Sequence, residues 1–201
     1  MDNLTPEKKI TEVFPNLELT GKLEEFMSFA EVSRVAFDRK RNVLHVWLNS
    51  SQWIHKKYIY QLEELIARQL FPGSGIQVKV REHFQLSKQY TPRRMMDVYK
   101  TSIHTELKSR DILLGYLFQT ADLQFPEEDH LVMTLEDTVF AHEKLEQILF
   151  LLDKIFTERC GLPIRIDVEY RAVDEHADLA YGKQQERAMA RHIFASAGIT
   201  G

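Results

Sequence analysis

Two stretches of this chain, "GSGIQVKV" from Gly73 and "GLPIRIDV" from Gly161, follow one pattern 88 residues apart. In each, a glycine and two linker residues lead into a strict alternation. Ile76, Val78 and Val80 alternate with Gln77, Lys79 and Arg81. Ile164, Ile166 and Val168 alternate in the same way with Arg165, Asp167 and Glu169. A period of two is the signature of a strand with one buried face. A glycine just before it suits the end of a helix. Each stretch therefore predicts helix, glycine stop and half-buried strand, and a fold for this chain must accommodate that unit twice.

The residues upstream of each stretch extend the match. In the first half, a short helix is expected over about 18–29. The strands "EVSRVAFD" and "VLHVWLN" follow, joined by the charged turn from Asp38 to Asn42. A helix over about 52–71 carries Ile59, Leu62, Leu65, Ile66 and Leu70 at helical spacing. In the second half, Thr91 and Pro92 suit an N-cap and first helical position. Met96, Tyr99, Ile103 and Leu107 make one face of that helix. A short helix over about 110–119 comes next. "ADLQF" and "LVMTL" then alternate around a turn from Pro126 to His130, and a long helix is expected over about 138–159. Hairpin, helix and strand thus recur in the same order. A hairpin pairs antiparallel, and a helical crossover returns the chain to a parallel strand. The predicted class is α+β, with two tandem small modules. Each would hold a three-stranded mixed sheet with helices on one face. The expected boundaries are 1–84, 85–171 and a charged helical linker or tail over 172–201, which reads as leading towards a further domain.

A chain of 201 residues has room for two such modules. Its net charge of −4 supplies no global basic field, so any nucleic-acid contact must come from a local patch. The lone cysteine, Cys160, permits no internal disulfide and reads as a small buried hydrophobe in a reducing, cytoplasmic setting. The first residues, "MDNLTPEKK", lack the apolar stretch of a signal peptide. The most apolar run, "ILFLLDKIF", is interrupted by Asp153 and Lys154 and falls short of the ~18 residues that span a bilayer.

Catalytic chemistry is hard to assemble. His142-Glu143-Lys144-Leu145-Glu146 places Glu146 where a zinc-binding helix needs its second histidine. The clusters from Glu127 to His130 and from Asp174 to Asp178 lack calcium-loop spacing. Solvated turns and helix faces account for them more cheaply. There is no phosphate loop and no nucleophile elbow. No catalytic, cofactor-binding or metal-binding residue is assigned.

Three basic spots remain. Arg39, Lys40 and Arg41 cap the first hairpin; His55, Lys56 and Lys57 open a helix; Arg93 and Arg94 open another. Positive charge at a helix N-terminus opposes the dipole, which an anionic partner would relieve. Arg39, Lys40, Arg41, Lys56, Lys57, Arg93 and Arg94 are therefore the candidates for nucleic-acid contact, against the alternative of solvated surface. Trp47, Trp53 and Tyr58 cluster in sequence around one strand–helix junction. They suit a protein-binding patch, a stacking site for bases, or core packing. A KH module would grip nucleic acid with a G-x-x-G loop between helices, and the glycines here precede strands instead.

The segments "LSKQYTP", "TLEDTVFAHEK" and "ERCGLPIRIDVEYR", with "VFPNLEL" and "LNSSQWIHKKYIYQLEELIARQLFP", carry a resemblance. From about Val13 to Tyr170 the chain resembles the N-terminal region of the PolC-type DNA polymerase III alpha subunits of low-GC Gram-positive bacteria, clostridial ones above all. The resemblance implies a first module like the C-terminal domain of the clamp-loader tau subunit and a second that is KH-like. It implies a non-catalytic region of a DNA-directed DNA polymerase that carries a 3′–5′ exonuclease and uses divalent metal ions elsewhere. The expected role is docking to replisome proteins, tau first among them. Weak binding of primer-template or single-stranded DNA is the alternative. Neither a small-molecule substrate, a membrane nor a cofactor of this region's own is expected.

Overall fold

The computed structural model describes residues 7–172. The charged tail from residue 173 on, with the cluster from Asp174 to Asp178, lies outside the described residues. The class is α+β, with two mixed sheets and helices. Strand β1 (Lys8–Lys9), helices α1 (Ile10–Val13) and α2 (Gly21–Ser28), strands β2 (Ala30–Asp38) and β3 (Val43–Ser50), helix α3 (Lys56–Leu70) and strand β4 (Gln77–Phe84) form the first half. Its sheet runs β1-β2-β3-β4. Helices α4 (Pro92–Arg110) and α5 (Ile112–Thr120), strands β5 (Asp122–Glu127) and β6 (His130–Glu136), helix α6 (Val139–Asp153) and strand β7 (Arg165–Arg171) form the second, with order β5-β6-β7.

The repeated stretches are β4 and β7. Each lies parallel to the second strand of its hairpin, with Val46 opposite Val80 and Met133 opposite Val168. Gly73, Gly75 and Gly161 all have positive φ, at 71°, 69° and 61°. Gly161 uses it to stop a helix. Its N–H donates to the Thr157 carbonyl, and the Leu162 N–H reaches back to Phe156 at 2.9 Å.

Three details depart from the sequence expectation. The first sheet gains a fourth strand, β1, opposite Glu31 and Val32. Two residues are too few to show alternation; Lys9 holds them in place, 3.0 Å from Glu31 and 3.1 Å from the Ser28 carbonyl. Helix α3 starts at Lys56, because Trp53 and Ile54 drop from an extended loop into the core. His55 then serves as the cap, its Nδ1 accepting from the Lys57 N–H. The expected helix over 138–159 begins on Thr138, whose Oγ1 accepts from the Ala141 N–H, but widens into a π-helical turn over Lys154–Arg159. The two halves share one continuous core, a point the sequence left open. Trp53 from the first half packs on Phe84 and on Tyr99 of the second, with ring centroids 4.6 and 5.3 Å apart. Ile59, Leu62 and Ile66 are fully buried on α3, as are Ile148, Leu152 and Ile155 on the helix of the second half.

Helix α4 is capped as its sequence predicts. Thr91 Oγ1 accepts from the Arg94 N–H, and the same hydroxyl donates to Glu128 at 2.6 Å. That ties the helix start to the β5–β6 turn. No helix among the described residues is long and apolar enough to cross a membrane.

Candidate functional site

Strand β4 alternates Val78, Val80, Glu82 and Phe84 on its buried face. A carboxylate there needs a countercharge, because an isolated buried ion is expensive. Glu82 receives Lys56 from α3 and Arg159 from the π-helical turn, the latter at 2.8 Å. On α4, Glu106 occupies the face shared by Ser102, Ile103 and Leu107 and is 2% exposed. Arg159 grips it with both terminal nitrogens, one at 2.7 Å, a bidentate fork. Lys56 Nζ lies 3.8 Å from the same carboxylate. The Lys56 N–H donates to Ser102 Oγ at 2.9 Å. Two cations and two carboxylates, one of each sign from either half, therefore close a buried quartet across the join. Burial alone would raise the Glu106 carboxyl, but Arg159 and Lys56 outweigh it and hold the group below the ordinary carboxylate range.

The quartet forms the inner wall of a groove of about 1010 Å³. The groove passes along the outer edge of β4, between it and α4 with the π-helical turn. His45, Trp47, Lys79 and Arg81 line it from the sheet; Arg110 of α4 and Lys154 and Glu158 of the π-helical turn line it as well. Glu63 lies on the edge itself: it accepts from the Val80 N–H at 2.8 Å and pairs with Lys79 at 3.2 Å.

Trp47 belongs to the sheet face that carries no helix. Register puts Arg34, Trp47 and Arg81 in one row across β2, β3 and β4. The Arg34 guanidinium lies 4.7 Å from the indole centroid and that of Arg81 lies 5.4 Å away. Neither arginine has a carboxylate partner among the described residues. The next row is Ala36, His45 and Lys79. His45 Nδ1 is buried without a hydrogen-bond partner among the described residues.

The candidates read from the sequence are dispersed. Trp53 is core, 6% exposed. Tyr58 packs on Phe26 of α2 at 4.7 Å, beneath the Lys57 ammonium at 4.8 Å, whereas Trp47 lies on the bare sheet face. The three aromatics thus form no common patch. Lys56 points inward to Glu82 and is not a surface cation. Arg39, Lys40 and Arg41 are exposed at the turn before β3, and the start of α3 lies past the other end of that strand. Eight strand residues separate these spots, about 25 Å. Arg93 is committed to Glu128 at 3.8 Å, and Arg94 donates to the Gln89 carbonyl. Lys57 alone of the α3 pair stays exposed.

His142 pairs with Asp137 at 2.7 Å and stacks on Tyr170. Among the described residues no group of three or more metal-capable side chains converges. Cys160 is buried, and burial pushes its thiol up to about 12. Sequence reading missed Glu82 and Glu106, although each is a charge on an otherwise apolar face, at period two and at helical spacing respectively. Arg34 and Arg81 were legible only as solvent-facing positions, since stacking on Trp47 depends on strand register.

Residues 9–80 match the family described as DNA polymerase III polC-type N-terminus I. The matched segment runs from the end of β1 into β4. No curated protein and no solved structure matches the chain.

Proposed function

We propose that this chain is a non-catalytic N-terminal region of a PolC-type replicative polymerase, and that it docks the polymerase onto other replisome proteins in the cytoplasm. The observation that carries the reading is the family match over residues 9–80. The clamp-loader tau subunit is the first candidate partner. The arrangement of the described residues supports a binding role: their buried charges are consumed in holding the two halves together. The resemblance to the tau C-terminal domain in the first half and to KH modules in the second belongs to the same proposal, as does the division at residue 84.

The matched half also offers apolar surface. Val35 and Phe37 lie on the helix-bearing side of the sheet, opposite Val46 and Leu44, yet remain 40% and 45% exposed. Trp53 drops out as a contact residue, because it fills the core. Calorimetric titration of the chain with tau in physiological salt tests the reading. A saturable one-site isotherm is expected, weakened at least tenfold by Val35→Glu with Phe37→Glu. Absence of heat at two well-separated temperatures overturns tau as the partner, since a compensated enthalpy cannot vanish at both when apolar surface is buried.

A further inference from the structure

We infer that the bare face of the first sheet, continued by the groove around β4, is a binding site for single-stranded nucleic acid. The site is distinct from the docking role proposed above and does not rest on it. Its centre is the row Arg34–Trp47–Arg81. Both guanidinium groups lie over the indole, so less side-chain freedom is lost when they bind a ligand. Their donor edges suit phosphate oxygens, and their flat faces, like the indole, suit bases. His45, in the neighbouring row, adds a second ring 5.7 Å from the indole.

Charge follows the same path. Arg34, Arg81 and Lys154 form no ion pair among the described residues; Arg81 and Lys154 line the groove together with Arg110, whose charge also bears on Glu106. A phosphate backbone running from the sheet face around β4 would meet them in turn. The equivalent face of the second sheet carries Asp122, Glu136, Asp167 and Glu169 against Arg165 and Arg171, so its carboxylates outnumber its arginines and it suits such a strand less well. An acidic polypeptide fits less well. Added as a strand to β4, it would need the Val80 N–H, which Glu63 already occupies. Its carboxylates would also leave the stacked planar surface unused.

The test uses the full chain and a labelled oligo-dT of about 15 nucleotides, followed by fluorescence anisotropy. Saturable binding at low salt is expected, with log K falling against log salt at a slope of about −3 for four phosphate contacts. Arg34→Gln with Arg81→Gln should weaken binding at least tenfold and reduce the slope by about 1.4. Trp47→Ala should weaken it further on oligo-dT but not on an abasic strand of equal length. Circular dichroism on each variant checks that the fold is kept. Arg39→Gln with Lys40→Gln and Arg41→Gln should change affinity by less than twofold. Absence of binding at low salt, or full affinity in the double arginine variant, overturns the inference. So does displacement of the oligonucleotide by poly-glutamate at equal charge concentration, which would assign the face to an acidic protein segment.

Discussion

Glu82 and Glu106 stand where the local patterns call for aliphatic side chains, and both are satisfied only by charges that arrive from far along the chain. Removing one member of such a group strands the others, which typically costs about 3–5 kcal/mol. Glu106→Gln should therefore destabilise the protein by about that amount at pH 7, measured by urea unfolding. Because the folded carboxyl sits below its ordinary 4.5, its contribution is complete above pH 4.5 and is lost as pH falls beneath it. The gap between wild type and Glu106→Gln should accordingly narrow in acid. His55 behaves with the same sign for a different reason. Burial, then the Lys57 charge, pulls its imidazole below 6.5, so the folded state favours the neutral ring. Stability from this site is present above pH 6.5 and declines as pH falls through it. His55→Asn keeps a capping acceptor and should flatten stability between pH 7 and 5. None of these partnerships was legible in sequence. A lysine at a helix start reads as surface until the fold shows which carboxylates it meets.

At the scale of elements, alternation and capping carried most of the fold. β3, β4, β6 and β7 lie where period two placed them, since each packs one face against helices. The Thr91–Pro92 start was equally readable because cap chemistry is local. Thr91→Ala should cost about 1 kcal/mol and loosen the β5–β6 turn through the lost Glu128 contact, seen as faster amide exchange there. What escaped was set by distant packing. Strand β1 exists through its pairing with β2, and the late start of α3 follows from the burial of Trp53 and Ile54. The π-helical turn is likewise invisible in "KIFTER", yet it delivers Arg159 to both carboxylates. Gly161 ends that turn at φ 61°, a region costing L-residues roughly 1–2 kcal/mol. Gly161→Ala should lower stability by about that much and weaken the Arg159 fork, read as a loss of the acid sensitivity that Glu106 confers.

Across the whole molecule, the continuous core predicts one unfolding transition rather than two. Trp53→Ala removes a side chain that touches both halves and should cost about 3–5 kcal/mol. Tryptophan-independent probes of either half, such as amide exchange in β3 and in β6, should report the same loss. Two separable melts would show that the halves are energetically independent. The quartet at the join has a consequence for ancestry as well as for stability. Each half contributes one acid and one base, and each base reaches the carboxylates of both halves. Neither half can be exchanged by recombination, or drift alone at these positions, without leaving its counterpart mismatched. The two repeats are thereby bound to a single line of descent, and substitutions at Lys56, Glu82, Glu106 and Arg159 are expected to be inherited together.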